Sequence, residues 1–182
     1  MKTLLLLRHA KSSWKDAELR DHERPLNGRG KRDAPQVGRL LAEQGLVPDL
    51  IASSTARRAR KTAEKVAEAS GYVGALDAAA ALYLATPQAI AQVIRLLPDE
   101  AGRVLLVGHN PGLEELLAEL TGRHERLPTA ALAHLELDIE RWQDLTPQTR
   151  ARLVQLQRPK ELAPGDAPQA GDTQEDGSSI PE

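Results

Sequence analysis

The sequence predicts an α/β fold, a three-layer α/β/α sandwich around a mostly parallel central sheet. Three observations carry this expectation. Short apolar runs, Leu4-Leu5-Leu6-Leu7 and Val104-Leu105-Leu106-Val107, have the length and continuity of strands buried on both faces. Between and after them lie stretches with apolar residues at helical spacing, so strands and helices alternate along the chain. The composition agrees: 41% of the 182 residues are hydrophobic but only 2% aromatic, and Phe is absent. A core built from Leu, Val, Ile and Ala suits helices packed on a parallel sheet.

Taken in order, the first strand ends at Arg8 and a long polar loop runs through Pro25. A helix is expected over residues 28–44, with Gly45 as its C-terminal stop. The run Asp49-Leu50-Ile51-Ala52-Ser53-Ser54 reads as a second strand, ending at Ser53. A helix over 55–70 follows, on which Ala56, Ala59, Ala63, Val66 and Ala67 form a buried face of small residues, and Gly71 ends it. Thr86-Pro87 has the form of an N-cap followed by proline at the first helical position, opening a helix to residue 97. Asn110-Pro111 repeats that device for a helix through residue 120. The last third changes period: 132–139 and 152–156 alternate as half-buried strands completing one edge of the sheet.

The length supports a single domain, assigned to 1–162. Residues 163–182 are rich in Pro, Gly, Ser and Asp, with five acids (Asp166, Asp172, Glu175, Asp176, Glu182) and no base. They read as a disordered acidic tail. Because the chain holds 24 bases against 26 acids, subtracting that tail leaves the body mildly positive.

Zero cysteine excludes disulfides, thiolate metal sites and cysteine nucleophiles together. Arg8 and His9 interrupt the opening leucine run too early for the apolar core of a signal peptide, about 7–15 residues, and no run approaches the roughly 20 of a membrane span. A cytoplasmic protein with no membrane association is the expectation. The five histidines show no H-E-x-x-H or similar spacing, so neither a metal nor a cofactor is expected. Nucleic acid is an unpromising partner: Arg57, Arg58, Arg60, Lys61 and Lys65 cluster, but the body carries little net charge and few aromatics to stack on bases. Gly28-Arg29-Gly30 follows no strand and lacks a third glycine, so it is not a dinucleotide fingerprint.

The chemistry lies at strand ends. A basic pair such as Arg8-His9 is often only solvated charge where a chain leaves the core. Here a second apolar run delivers Gly108-His109-Asn110-Pro111-Gly112, and a third is followed by Arg57-Arg58-Ala59-Arg60. In open α/β sheets ligands bind at the carboxyl ends of strands. Planar guanidinium forks match the equatorial oxygens of a transferring phosphoryl group, and a neutral histidine can attack phosphorus to form a covalent intermediate. A nearby guanidinium favours that neutral ring.

These residues resemble the histidine phosphatase superfamily, also called phosphoglycerate mutase-like. The likeness rests on Leu7-Arg8-His9-Ala10-Lys11-Ser12, on Arg24-Pro25-Leu26-Asn27 with Gly28 and Gly30, on Ser53-Ser54 through Arg58-Ala59 to Thr62-Ala63, and on Gly108-His109-Asn110-Pro111-Gly112. The short domain is most similar to SixA-type phosphohistidine phosphatases. The resemblance implies that His9 is the phosphoryl acceptor, Arg8 and Arg58 ligands of the phosphoryl oxygens, and His109 the second histidine that stabilises the group in transfer. It also implies substrate-binding roles for Arg24 and Asn110. Arg57 and Arg60 fall off the motif and read as solvated helix charge.

Two departures stand out. Ala10 replaces the glycine the family usually carries after its histidine. The segment that supplies a general acid in larger members is absent here, which leaves Tyr83, Asp21 and Glu23 as candidates. Imidazole leaving a phosphohistidine can be protonated before its bond breaks, so a missing acid favours P–N substrates over sugar phosphates. The expected function is therefore a metal-independent phosphatase acting through phosphorylated His9 on phosphohistidine of a signalling or carrier protein. The alternatives are a small-molecule phosphomonoesterase of the same superfamily and a non-catalytic phosphoprotein-binding module.

Overall fold

A computed structural model describes residues 1–159. The predicted tail lies outside them. Six strands form one sheet: β1 (Lys2–Arg8), β2 (Leu50–Ser54), β3 (Leu76–Ala79), β4 (Arg103–Gly108), β5 (Leu132–Leu137) and β6 (Ala151–Gln157), in the order β3-β2-β4-β1-β5-β6. The pairs β3·β2, β2·β4 and β4·β1 are parallel, whereas β5 runs antiparallel to β1 and β6 to β5. The helices are α1 (Gly28–Glu43), α2 (Arg57–Ser70), α3 (Pro87–Arg95) and α4 (Gly112–Thr121).

Alternation of side chains along β1 builds two cores at once. Leu4 and Leu6 join Ile90, Ile94, Leu113 and Leu117 on one face, under α3 and α4. Leu5 and Leu7 join Val37, Leu41, Ala63 and Val66 on the other, under α1 and α2. The result is the three-layer sandwich expected from the sequence. The chain passes from β1 through α1 to β2 and later returns through α3 to insert β4 between them. That reversal leaves a crevice at the carboxyl ends of β1 and β4, the place where such sheets bind ligands.

Local signals set several helix ends. The Asn27 side chain accepts a hydrogen bond from Gly30 N–H, and Thr86 does the same for Ala89 N–H with Pro87 opening α3. Gly71 ends α2 in the left-handed conformation, φ 76°. Other expectations fail. Helix α2 starts at Arg57, two residues after the expected start near 55, and the Thr55 hydroxyl contacts the ring of His22. Asn110-Pro111 does not repeat the Thr-Pro device: Pro111 itself occupies the cap position, and the Asn110 amide donates to Leu127 O at 3.0 Å. Strand β5 is not half-buried but covered on both faces, since it lies inside the sheet with β6 as the edge. Strand β3 was not foreseen; Leu76-Asp77-Ala78-Ala79 is short and mostly polar or small, and only pairing with β2 makes it a strand.

Small residues on both helices let α1 and α2 approach closely. A Cβ at Gly38 would lie 2.5 Å from the Val66 carbonyl oxygen and 2.8 Å from the Ala69 Cβ. In an open helix Gly→Ala stabilises by about 1 kcal/mol. Here the sign reverses: Gly38→Ala is expected to lower the unfolding free energy by about 1–3 kcal/mol in denaturant titration, the usual cost of overpacking.

Candidate active site

The parallel register sets Arg8 opposite Gly108, and His9 N–H donates to Gly108 O at 3.0 Å. The next residues on the two strand ends, His9 and His109, therefore stand side by side, with ring centroids 5.0 Å apart and ring planes tilted by 53°. Arg58, in the first turn of α2, reaches both: its Nε donates to His9 Nε2 at 3.3 Å and its Nη2 lies 3.4 Å from His109 Nδ1. All three side chains are buried.

The partners fix the tautomers, because a guanidinium only donates and a carbonyl only accepts. His9 Nδ1 lies 2.8 Å from Ala10 O, so Nδ1 carries the proton and the Nε2 lone pair faces Arg58. His109 Nε2 lies 2.8 Å from Ser54 Oγ, so this nitrogen donates and Nδ1 accepts. Thr62, fully buried one turn beyond Arg58, accepts from Ala10 N–H at 3.0 Å and donates to Arg58 O at 2.7 Å. It pins α2 to the backbone that orients His9.

Both rings are held neutral. Burial, reinforced by Arg58, Arg8 and Arg24 against the pull of the Ala10 hydrogen bond, depresses His9 to about 4. Burial, His9 and Arg58 bring His109 down to about 3.

One carboxylate organises the arginines. Asp21 accepts from Arg24 Nη1 at 2.9 Å, from Arg58 Nη2 at 2.9 Å and from the Tyr83 hydroxyl at 2.7 Å. Its partial burial works to raise its pKa, but hydrogen bonds from Tyr83, Arg24 and Arg58 outweigh it and hold the carboxyl well below the usual carboxylate range. Asp21 is thus a permanent anion and not a proton donor. Of the other acid candidates, Glu23 pairs with Arg20 at the surface and Tyr83 spends its proton on Asp21, with its ring edge-on to His109 at 5.6 Å.

All six predicted site residues, Arg8, His9, Arg24, Arg58, His109 and Asn110, border one cavity of about 170 Å³, and no carboxylate borders it. Arg8 spends Nη1 on Leu127 O at 2.9 Å and leaves Nε buried without a partner. Arg24 uses three of its five N–H groups, on Ser13 O, Asp21 and Ser12 Oγ. Arg57 and Arg60 point away and are exposed. Among the described residues no group of three or more His, Cys, Asp or Glu could hold a metal ion, and no helix is long and apolar enough to cross a membrane. Sequence reasoning missed Ser54 and Thr62 as supports and Asp21 as an anchor; a polar residue at a strand end (Ser54) or on the otherwise apolar face of a helix (Thr62) was the available signal.

Neutral, buried histidines thus stand between arginines at the ends of adjacent parallel strands. The sequence pattern of the histidine phosphatase superfamily (branch 1) matches residues 4–81. An uncharacterized chloroplastic protein of Arabidopsis thaliana is 35% identical over 150 residues, 78% of this chain and 69% of the relative. A solved putative phosphohistidine phosphatase SixA from Agrobacterium tumefaciens is 30% identical, with a TM-score of 0.74 over 86% of this chain and 97% of that one.

This chain belongs to the histidine phosphatase superfamily. Within it the structure is SixA-type: a second solved putative SixA, from Nakamurella multipartitia, is 28% identical with a TM-score of 0.76, covering 87% of this chain and 96% of that one. Superfamily membership, together with the SixA-type neighbours, supports a phosphatase.

The depressed ring pKa values carry a stability consequence. Below pH 6.5 an unfolded histidine takes up a proton that the folded rings refuse until about pH 4 for His9 and about 3 for His109. The unfolded state then binds more protons, so stability falls as pH drops through that window. The loss should be on the order of 3 kcal/mol per ring by pH 4. Denaturant titrations at pH 7 and pH 4 check this, and His109→Gln is expected to reduce the difference.

Proposed function

We propose that this phosphatase works without a metal, through a covalent phosphohistidine on His9, and that its preferred substrates carry a P–N bond, phosphohistidine of a signalling or carrier protein foremost. The observation that carries the reading is a neutral His9 whose Nε2 keeps its lone pair, accepting a long 3.3 Å hydrogen bond from Arg58, beside a cavity bordered by arginines and by no carboxylate.

In the first step the Nε2 lone pair forms a bond to phosphorus, and the bond to the leaving nitrogen breaks with its electron pair going to the already protonated leaving imidazole. Arg8 Nε, unpartnered, and the arginines 58 and 24 take the charge spread over the equatorial oxygens. His109 Nδ1 can accept the proton of a monoanionic phosphoryl group and return it as a hydrogen bond to an oxygen. In the second step water attacks phosphorus, the P–Nε2 bond breaks, its electron pair returns to His9, and inorganic phosphate leaves.

The lack of a carboxyl group in proton-donating form beside the cavity supports P–N over alkyl ester substrates, because an alkoxide needs protonation in the transition state and an imidazole does not. Superfamily relatives that hydrolyse sugar phosphates keep the alternative of a small-molecule phosphomonoesterase as the contrasting outcome.

His9→Ala is expected to abolish both turnover and acid-labile phosphate on the protein, while Arg8→Ala and Arg58→Ala lose roughly 10²–10³-fold in kcat, the scale for removing one preorganised donor. A substrate panel read by phosphate release, with a phosphohistidine protein, phosphoramidate and alkyl phosphates, should favour the P–N compounds and be insensitive to chelators. Faster release from the alkyl esters would transfer the assignment to the phosphomonoesterase.

A further inference from the structure

Two large apolar side chains border the otherwise cationic cavity and face solvent. Trp14 is 73% exposed and Leu84 56% exposed, and both line the same cavity as His9. Neither position is accidental in its backbone. Ser13 N–H donates to Pro25 O at 2.8 Å and Ser12 bridges Leu26, so the segment carrying Trp14 is fastened to the chain beside Arg24. The indole lies over the buried Arg24 guanidinium, 3.1 Å from Cζ to ring centroid. Leu84 holds φ at 48°, a left-handed conformation that leucine rarely adopts and that is retained while its side chain stays in water.

A phosphoryl group in contact with His9 Nε2 lies deep in the cavity, because His9, Arg58 and His109 are all buried. The leaving group stands opposite the nucleophile in an in-line transfer, so it extends outward to the mouth. What it meets there is an indole with one face already on a cation and the other open, together with a leucine.

We infer that Trp14 is a specificity-determining residue whose open face stacks on a planar leaving group, with Leu84 as the opposing apolar wall. This rests on the placement of the phosphoryl group under "Proposed function" and adds to it what selects the rest of the substrate: flat, unsaturated rings such as imidazole or phenyl are held, and polyols are not. An indole is the best aromatic face for such stacking, and its underlying guanidinium keeps it from rotating away.

The experiment uses two non-hydrolysable probes that share the phosphoryl oxygens and differ in the group beyond them, phenylphosphonate and methylphosphonate. Calorimetric affinities for the full chain should favour phenylphosphonate by about tenfold, in line with a single stacked ring. Trp14→Ala should remove most of that ratio, and Trp14→Phe should retain it. A wild-type ratio near one overturns the inference, as does a ratio that survives in Trp14→Ala even when both affinities fall together, which would make Trp14 only a support for Arg24. If neither phosphonate binds the wild type, the placement of the phosphoryl group fails and the inference falls with it.

Discussion

Two neighbouring parallel strands that end in step are the constraint on which this molecule depends. The register that pairs Arg8 with Gly108 brings His9 and His109, distant in sequence, to adjacent positions at one edge of the sheet. A slip of one residue would turn each side chain to the opposite face, sending Leu4 and Leu6 into the wrong core along with the histidines. The two hydrophobic clusters that clamp β1 from either side therefore enforce the register, and with it the spacing of the imidazoles. Core packing and site geometry are one problem in this fold.

Around the imidazoles the electrostatic balance is uneven by construction. Three arginines converge and a single carboxylate, Asp21, contacts two of them. A guanidinium without any acceptor would be free to swing into solvent, whereas one paired on every N–H could offer nothing to a ligand. Arg8 and Arg24 keep unused N–H groups, while Arg58 is held by Asp21 through both its main-chain oxygen and its carboxylate. The cavity thus retains an uncompensated positive field, in which burial and the nearby cations keep both rings neutral. Histidines that would otherwise titrate near neutrality become steady lone-pair donors.

Most of the sheet and the six residues around the cavity were legible because each sits where a strong local signal changes. Leu7-Arg8-His9 and Val107-Gly108-His109 mark the end of a buried run by polarity alone, and Thr86-Pro87 and Gly71 mark helix ends by their own backbone preferences. Strand β3 carries no such signal; its existence is a gift of β2, whose unpaired edge recruits it. Asn110-Pro111 misled because a cap is defined by where the side chain points, and Leu127 O draws the Asn110 amide elsewhere. Asp21 was weighed as a proton donor on chemical type. Its three hydrogen-bond donors come from positions 24, 58 and 83, a tertiary fact that spacing in the chain does not encode.

The Ala10 carbonyl, which takes the His9 Nδ1 proton, gives the site a property that a carboxylate in the same place would not. In hydrolases where an aspartate aligns the histidine, the aligning group is a charge that also stabilises the protonated ring. An amide oxygen has no titration to undergo. The alignment here survives for as long as the main chain keeps its course, and it adds no counter-charge that would favour the protonated ring.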